Sequence, residues 1–187
     1  MTVIAKTVTY GIESKIKLIQ QDLNNELLIA NEGNWNGTVN IYGKIQPVLR
    51  KEEIEPEVWL ASEEYSKGIF INDKIAGSVG FHITDEDNTD FNQVATIDII
   101  FSVILTKIYT NDDTVRQDER ALIEAKRAIV NCAYINEVTN IKRGVKDVFA
   151  DFTTEKIKYR DMQPWFVFSF TCDVTYSNDF CQGSEAL

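Results

Sequence analysis

Trp165-Phe166-Val167-Phe168-Ser169-Phe170-Thr171-Cys172-Asp173-Val174-Thr175-Tyr176 is the stretch that decides the fold. Phe166, Phe168, Phe170, Cys172, Val174 and Tyr176 fall at every second position, with Ser169, Thr171, Asp173 and Thr175 between them. Side chains of a strand alternate between two faces, so the pattern predicts a strand with one wholly apolar face. A face of that kind needs other strands beside it and a layer of apolar side chains above it.

The longest strand is predicted from Val94 to Tyr109. Ile97, Ile99, Phe101, Val103 and Leu105 alternate on one side, and Asp98, Ser102 and Thr106 mark the other. Ile100, Ile104 and Ile108 also lie on that second side, so it is expected to be partly covered, by a neighbouring subunit. The covering layer is read from two helices. Ile12, Ile16, Ile19, Leu23 and Leu27 recur at spacings of four, three, four and four, predicting a helix over Tyr10 to Leu28 with Thr9 as its N-cap. The second helix spans Val115 to Ala133, with Leu122, Ala125, Ile129 and Cys132 on one face. Asp118 and Glu119 near its start and Lys126 and Arg127 in its later half match the helix dipole.

Thr38 to Gln46 reads as a strand that Pro47 either limits or places at an edge, Arg50 to Glu57 as an exposed charged segment, and Val58 to Ser62 as a short strand. Ile69 to Ile83 suggests a hairpin turning near Asn72 and Asp73, followed by an acidic loop from Thr84 to Asp90. Val138 to Phe152 is expected to hold one or two strands around Gly144. Strands outnumber helices without regular alternation, so the expected fold is α+β: a mostly antiparallel sheet with two main helices on one face, plus extended loops or hairpin arms. A single domain is expected over 1–176, with an insertion or arm at 50–90 and a loosely held tail at 177–187.

Composition narrows the function. The chain carries 29 acidic and 19 basic residues, a net charge of −10. Nucleic-acid affinity rests on cationic side chains displacing condensed counterions, so an acidic chain without a basic block is a poor binder. No stretch approaches the ~20 apolar residues of a membrane-spanning helix, and Met1 to Tyr10 lacks the pattern of a secretory signal, so a soluble chain made in a reducing compartment is expected. Cys132 and Cys172 read as buried small hydrophobes and Cys181 as a tail thiol, since an odd count without a CxxC pair makes no disulfide framework.

Reactive-site chemistry has few candidates. His82 is the single histidine and sits within a strand pattern, where an ordinary structural role is the better reading. One histidine and three scattered cysteines build no familiar zinc site, and no phosphate-binding or nucleophile-elbow motif occurs. Asp85, Asp87 and Thr89 mimic the first ligands of a calcium loop. Yet Asp90 stands where glycine is required and Thr96 where the closing glutamate should be. No cofactor, metal or catalytic residue is therefore expected. Trp35, Trp59 and Tyr65 are candidate interface anchors, Trp35 being equally readable as core, and Asp85, Asp87 and Asp90 are candidate contacts in the acidic loop.

The order of elements (early helix Ile12 to Leu27, central sheet, second helix Val115 to Ala133, closing strand Trp165 to Tyr176) resembles the tail-terminator and head–tail connector proteins of tailed bacteriophages. The Asn- and Ile-rich style with an acidic surface is also similar to neck-ring proteins of crAss-like phages. The resemblance implies a non-enzymatic virion protein, made in the bacterial host cytoplasm and built into a homo-oligomeric ring at the neck. Portal, connector or tail proteins would adjoin it, and DNA would pass through without sequence-specific binding. It further implies that the segments Thr84 to Asp90 or Arg50 to Ser66 reach a neighbour or the lumen. The alternative is a soluble binding module for a carbohydrate or protein ligand, using Trp35, Trp59 and Tyr65.

Overall fold

The computed structural model describes residues 11–30, 35, 39–50, 52–59, 65–66, 75–87, 92–110, 116–153 and 163–177. Along the chain these form α1 (Ile12–Ala30), β1 (Val39–Arg50), β2 (Glu53–Trp59), β3 (Tyr65–Ser66), β4 (Gly77–Asp87) and β5 (Asn92–Ile104). Then come α2 (Leu105–Ile108), α3 (Gln117–Asn131), β6 (Glu137–Arg143), α4 (Val145–Val148) and β7 (Trp165–Ser177). The seven strands make one sheet in the order β3-β2-β1-β4-β5-β7-β6. Every neighbouring pair is antiparallel except β1 and β4. The chain is an α+β protein with a mostly antiparallel sheet.

The alternation in β7 does what the period of two requires. Phe168, Phe170, Cys172, Val174 and Tyr176 are buried in one apolar cluster with Val79 and Phe81 of β4 and Ala95, Ile97, Ile99, Phe101 and Val103 of β5. Phe101 lies opposite Phe168 in the β5–β7 register, and their rings stack at 4.9 Å. The same cluster takes Ile12, Ile16, Ile19, Leu23 and Leu27 of α1 and Ala121, Leu122, Ala125, Ala128 and Ile129 of α3. Cys132 and Cys172 are buried free thiols, and burial pushes Cys132 up to about 11 and Cys172 up to about 12.

The other face of the sheet has its own cover, and it corrects the expectation of a neighbouring subunit there. Ile100 packs with Ile45 and Val167 against Val148, Phe149 and Phe152, all from the same chain. Of the one or two strands expected over Val138 to Phe152, one forms, β6, and the residues after Gly144 supply the cover. Gly144 adopts φ 84°, a left-handed backbone that glycine accepts at no steric cost, and the chain turns there into the single helical turn α4.

Other expectations are corrected by local chemistry. β5 ends at Ile104, five residues before Tyr109, because the apolar spacing widens to three at Leu105 and Ile108, which form a turn of helix and stay buried. Of the two readings of Pro47, the edge position holds, and β1 runs on past it to Arg50. The β1–β4 pairing stops at Ile45 and His82, so Pro47 sits where β1 has only β2 beside it, opposite Pro56, and a missing N–H on the free side costs no ladder bond. The charged segment after Arg50 is strand β2, entered through a turn in which Glu52 takes φ 71°. Within 50–90, expected as an insertion or arm, lie β2, β3 and β4, and β4 sits in the sheet between β1 and β5. The acidic stretch is strand as far as Asp87, since Asp85, Glu86 and Asp87 pair with Thr96, Ala95 and Val94. Thr9, the turn near Asn72 and Asp73, and the tail at 178–187 lie outside the described residues.

Candidate functional site

Three regions carry polar chemistry or unsatisfied surface, and each is built by a different part of the fold. The first lies on the sheet face covered by α4. Asp98, fully buried on β5, accepts a 2.6 Å hydrogen bond from Thr171 Oγ1 of β7 and another of 2.6 Å from Lys142 Nζ of β6. A buried carboxylate is tolerable only when its oxygens are paired in this way. Across the β4–β5 register from Asp98 stands His82, also buried, with Nδ1 3.1 Å from the Ile45 carbonyl oxygen and Nε2 3.5 Å from Asp151. Phe152 covers its ring at 5.2 Å. Ser169 Oγ is fully buried beside them with no hydrogen-bond partner among the described residues. His82 is thus tied to β1 and to the segment that follows α4. Thr96 donates a further hydrogen bond of 2.9 Å to Asp173.

The second region is where sequence reasoning placed Trp35. Its indole is 2% exposed, edge-on to Phe101 with ring centroids 6.3 Å apart. Trp35 Nε1 donates to Glu124 at 2.8 Å, and Tyr109 donates to the same carboxylate oxygen at 2.6 Å. Arg120 binds the other oxygen at 2.8 Å and lies over the Tyr109 ring at 4.7 Å. Burial first, then the Glu124 carboxylate, hold the Tyr109 phenol far above its ordinary range. Of its two readings, Trp35 takes the core one. Glu124 was not legible as its partner, because the two lie 89 residues apart.

The third region is surface. Trp59 and Tyr65 are opposite residues of β2 and β3, on the outer side of the sheet, and their side chains lie outside the described residues. Asp85 and Asp87 are exposed at the end of β4, and Asp90 lies outside the described residues. Of the predicted interface residues, Trp35 is buried in the core, while Trp59 pairs with Tyr65 at the β3 edge of the sheet and Asp85 and Asp87 lie at the end of β4. The structure adds others. Leu49 and Ile54 face each other across β1–β2 and are 72% and 41% exposed, while Ile123 and Val130 on the outer side of α3 are 55% and 64% exposed. The signal for Ile123 and Val130 was present in the sequence as apolar residues off the buried stripe of Leu122, Ala125 and Ile129.

Among the described residues, no group of three or more His, Cys, Asp and Glu side chains is placed to hold a metal ion. No described helix is long and apolar enough to cross a membrane. No family model and no curated protein matches the chain.

Proposed function

We propose that this chain is a structural subunit of a larger assembly and that it acts without catalysis. The observation that carries the reading is a pair of exposed apolar patches on different surfaces: Leu49 with Ile54 at the β1–β2 turn, and Ile123 with Val130 on α3. Two unlike patches suit a heterologous contact, in which one surface meets a different surface of the next copy and the rotation closes a ring. Among the described strands, β6 has β7 on one side and no strand on the other, which leaves a further edge for a neighbour.

Following the resemblance, the assembly is a homo-oligomeric ring at the neck of a tailed phage, adjoining portal, connector or tail proteins. The net charge of −10 supports a channel that DNA crosses without being gripped. The alternative of a binding module built on Trp35, Trp59 and Tyr65 loses its central anchor, because the Trp35 indole is taken up by Phe101 and Glu124.

Mass photometry and negative-stain imaging of the purified protein, alone and mixed with a portal complex, test the reading. Rings, alone or on the portal, are the expected result. A chain that remains monomeric in both settings, or that turns over a substrate, overturns it.

A further inference from the structure

We propose that the end of the β4–β5 hairpin of one copy docks on the outer face of α3 in a second copy, an inference that rests on the assembly reading above. The acceptor side is α3. Its acidic residues are all engaged within the chain: Asp118 with Arg116 at 2.7 Å, Glu119 with Arg143 at 2.6 Å, and Glu124 with Arg120 at 2.8 Å. Lys126 and Arg127, both exposed, have no ion pair or hydrogen bond among the described residues. They sit three and four residues beyond Ile123 and four and three before Val130, so the four side chains share one face of the helix. That face runs about 10 Å along the axis, from Ile123 to Val130. It offers two uncommitted cations between two exposed apolar side chains.

The donor side has the complementary pattern. Asp87 lies opposite Val94 and Asp85 opposite Thr96 in the β4–β5 register, so Asp85, Asp87 and Val94 point to the same side of the hairpin. Asp85 and Asp87 are exposed, and Val94 is 42% exposed. Glu86 points the other way, where the Tyr176 hydroxyl donates to it at 3.3 Å. Two carboxylates with an apolar side chain thus match two cations with two apolar side chains, on elements of a size to meet. The occupant is a second copy because the chain carries both halves of the match. A net charge of −10 makes two copies repel at a distance, and the Lys126–Arg127 face offers an acidic hairpin a local attraction against that repulsion.

The test is a charge-reversal pair, read by mass photometry and sedimentation over a concentration series, with circular dichroism to verify folding. Asp85→Lys with Asp87→Lys, and Lys126→Glu with Arg127→Glu, are each expected to raise the concentration for half-assembly by about tenfold or more. An equal mixture of the two variants is expected to assemble again, because each then finds its opposite. Ile123→Ser with Val130→Ser should weaken assembly and not be rescued by either. If the wild type assembles and neither reversal moves its midpoint beyond about twofold, the docking pair is wrong and the assembly reading stands. Self-association absent in the wild type, with assembly only on a portal complex or with a separate acidic partner on α3, also overturns the docking of copy on copy.

Discussion

The two faces of the sheet are sealed by different means. On one, Ile12, Ile16, Ile19, Leu23 and Leu27 of α1 and Leu122, Ala125 and Ile129 of α3 share one apolar cluster with Phe101, Phe168 and Phe170. On the other, α4 and the residues after it set Val148, Phe149 and Phe152 over Ile45, Ile100 and Val167, beside the polar side chains of His82, Asp98, Ser102, Ser169 and Thr171. The first face is held by packed volume, whereas the second depends on a few directed bonds around a small apolar patch. A dense interior does not forgive lost volume, while a short cover can shift to close a gap.

Removing the ring of Phe168, which stacks with Phe101 at 4.9 Å and with Phe166 at 4.8 Å, breaks the first face most directly. Phe168→Ala is expected to cost about 3–5 kcal/mol in urea unfolding. Phe149→Ala, at the C-cap of the single-turn α4, is expected to cost less, about 2–3 kcal/mol, because a cover this short can close on the gap. Equal losses would show that the two covers are equally rigid.

Asp98→Ala probes the bonds of the second face. It leaves Lys142 and Thr171 without their acceptor, although Lys142 keeps some access to water, so a loss of about 2–3 kcal/mol is expected. A loss below about 0.5 kcal/mol would mean that these polar side chains carry no stability.

Two glycines sharpen the contrast at a smaller scale. A Cβ on Gly77 would stand 2.7 Å from the Ser102 carbonyl oxygen, whereas one on Gly80 would meet the Ile45 Cδ1 methyl at 2.5 Å. Backbone cannot step aside and a methyl group can. Gly77→Ala is expected to cost about 1–3 kcal/mol, and Gly80→Ala clearly less. The reverse order in thermal unfolding would assign the stiffness to the wrong face.

The smallest effect concerns Cys172, whose thiol is pushed up to about 12 by burial and then by the Asp98 and Asp173 carboxylates. In the unfolded chain the thiol ionises near its ordinary value of about 8.5. Above that pH the unfolded state binds fewer protons than the native one, so stability falls as pH rises. The loss from this group should reach about 1 kcal/mol near pH 9.5. Cys172→Ala should flatten the slope of urea midpoints between about pH 7.5 and 9.5, and an unchanged slope would place the titration elsewhere.

How much of this was legible follows the same division. The stripes on α1, α3 and β7 were readable because each is one continuous period that needs no knowledge of its partner. The cover of the second face was not. Ile100 announces an apolar second side, but nothing in its own stretch says that residues 145–152 will supply the cover, and the alternation around Gly144 resembles strand. Asp98 was visible as a polar residue in an apolar run, yet its partners Lys142 and Thr171 lie 44 and 73 residues away. Trp35 appeared loop-like from its asparagine and glycine neighbours, while Glu124 was hidden among ordinary helix surface charges.

β7 is inserted between β5 and β6, so the last of the described strands occupies an interior place in the sheet. A copy truncated anywhere before Trp165 would leave the long β5 edge unpaired, with Ile97, Ile99 and Phe101 beside it. Free strand edges of that length and apolarity recruit whatever chain is nearest. Copies that lack β7 are therefore expected to precipitate, so the placement of one strand ties the solubility of the sheet to a segment made late.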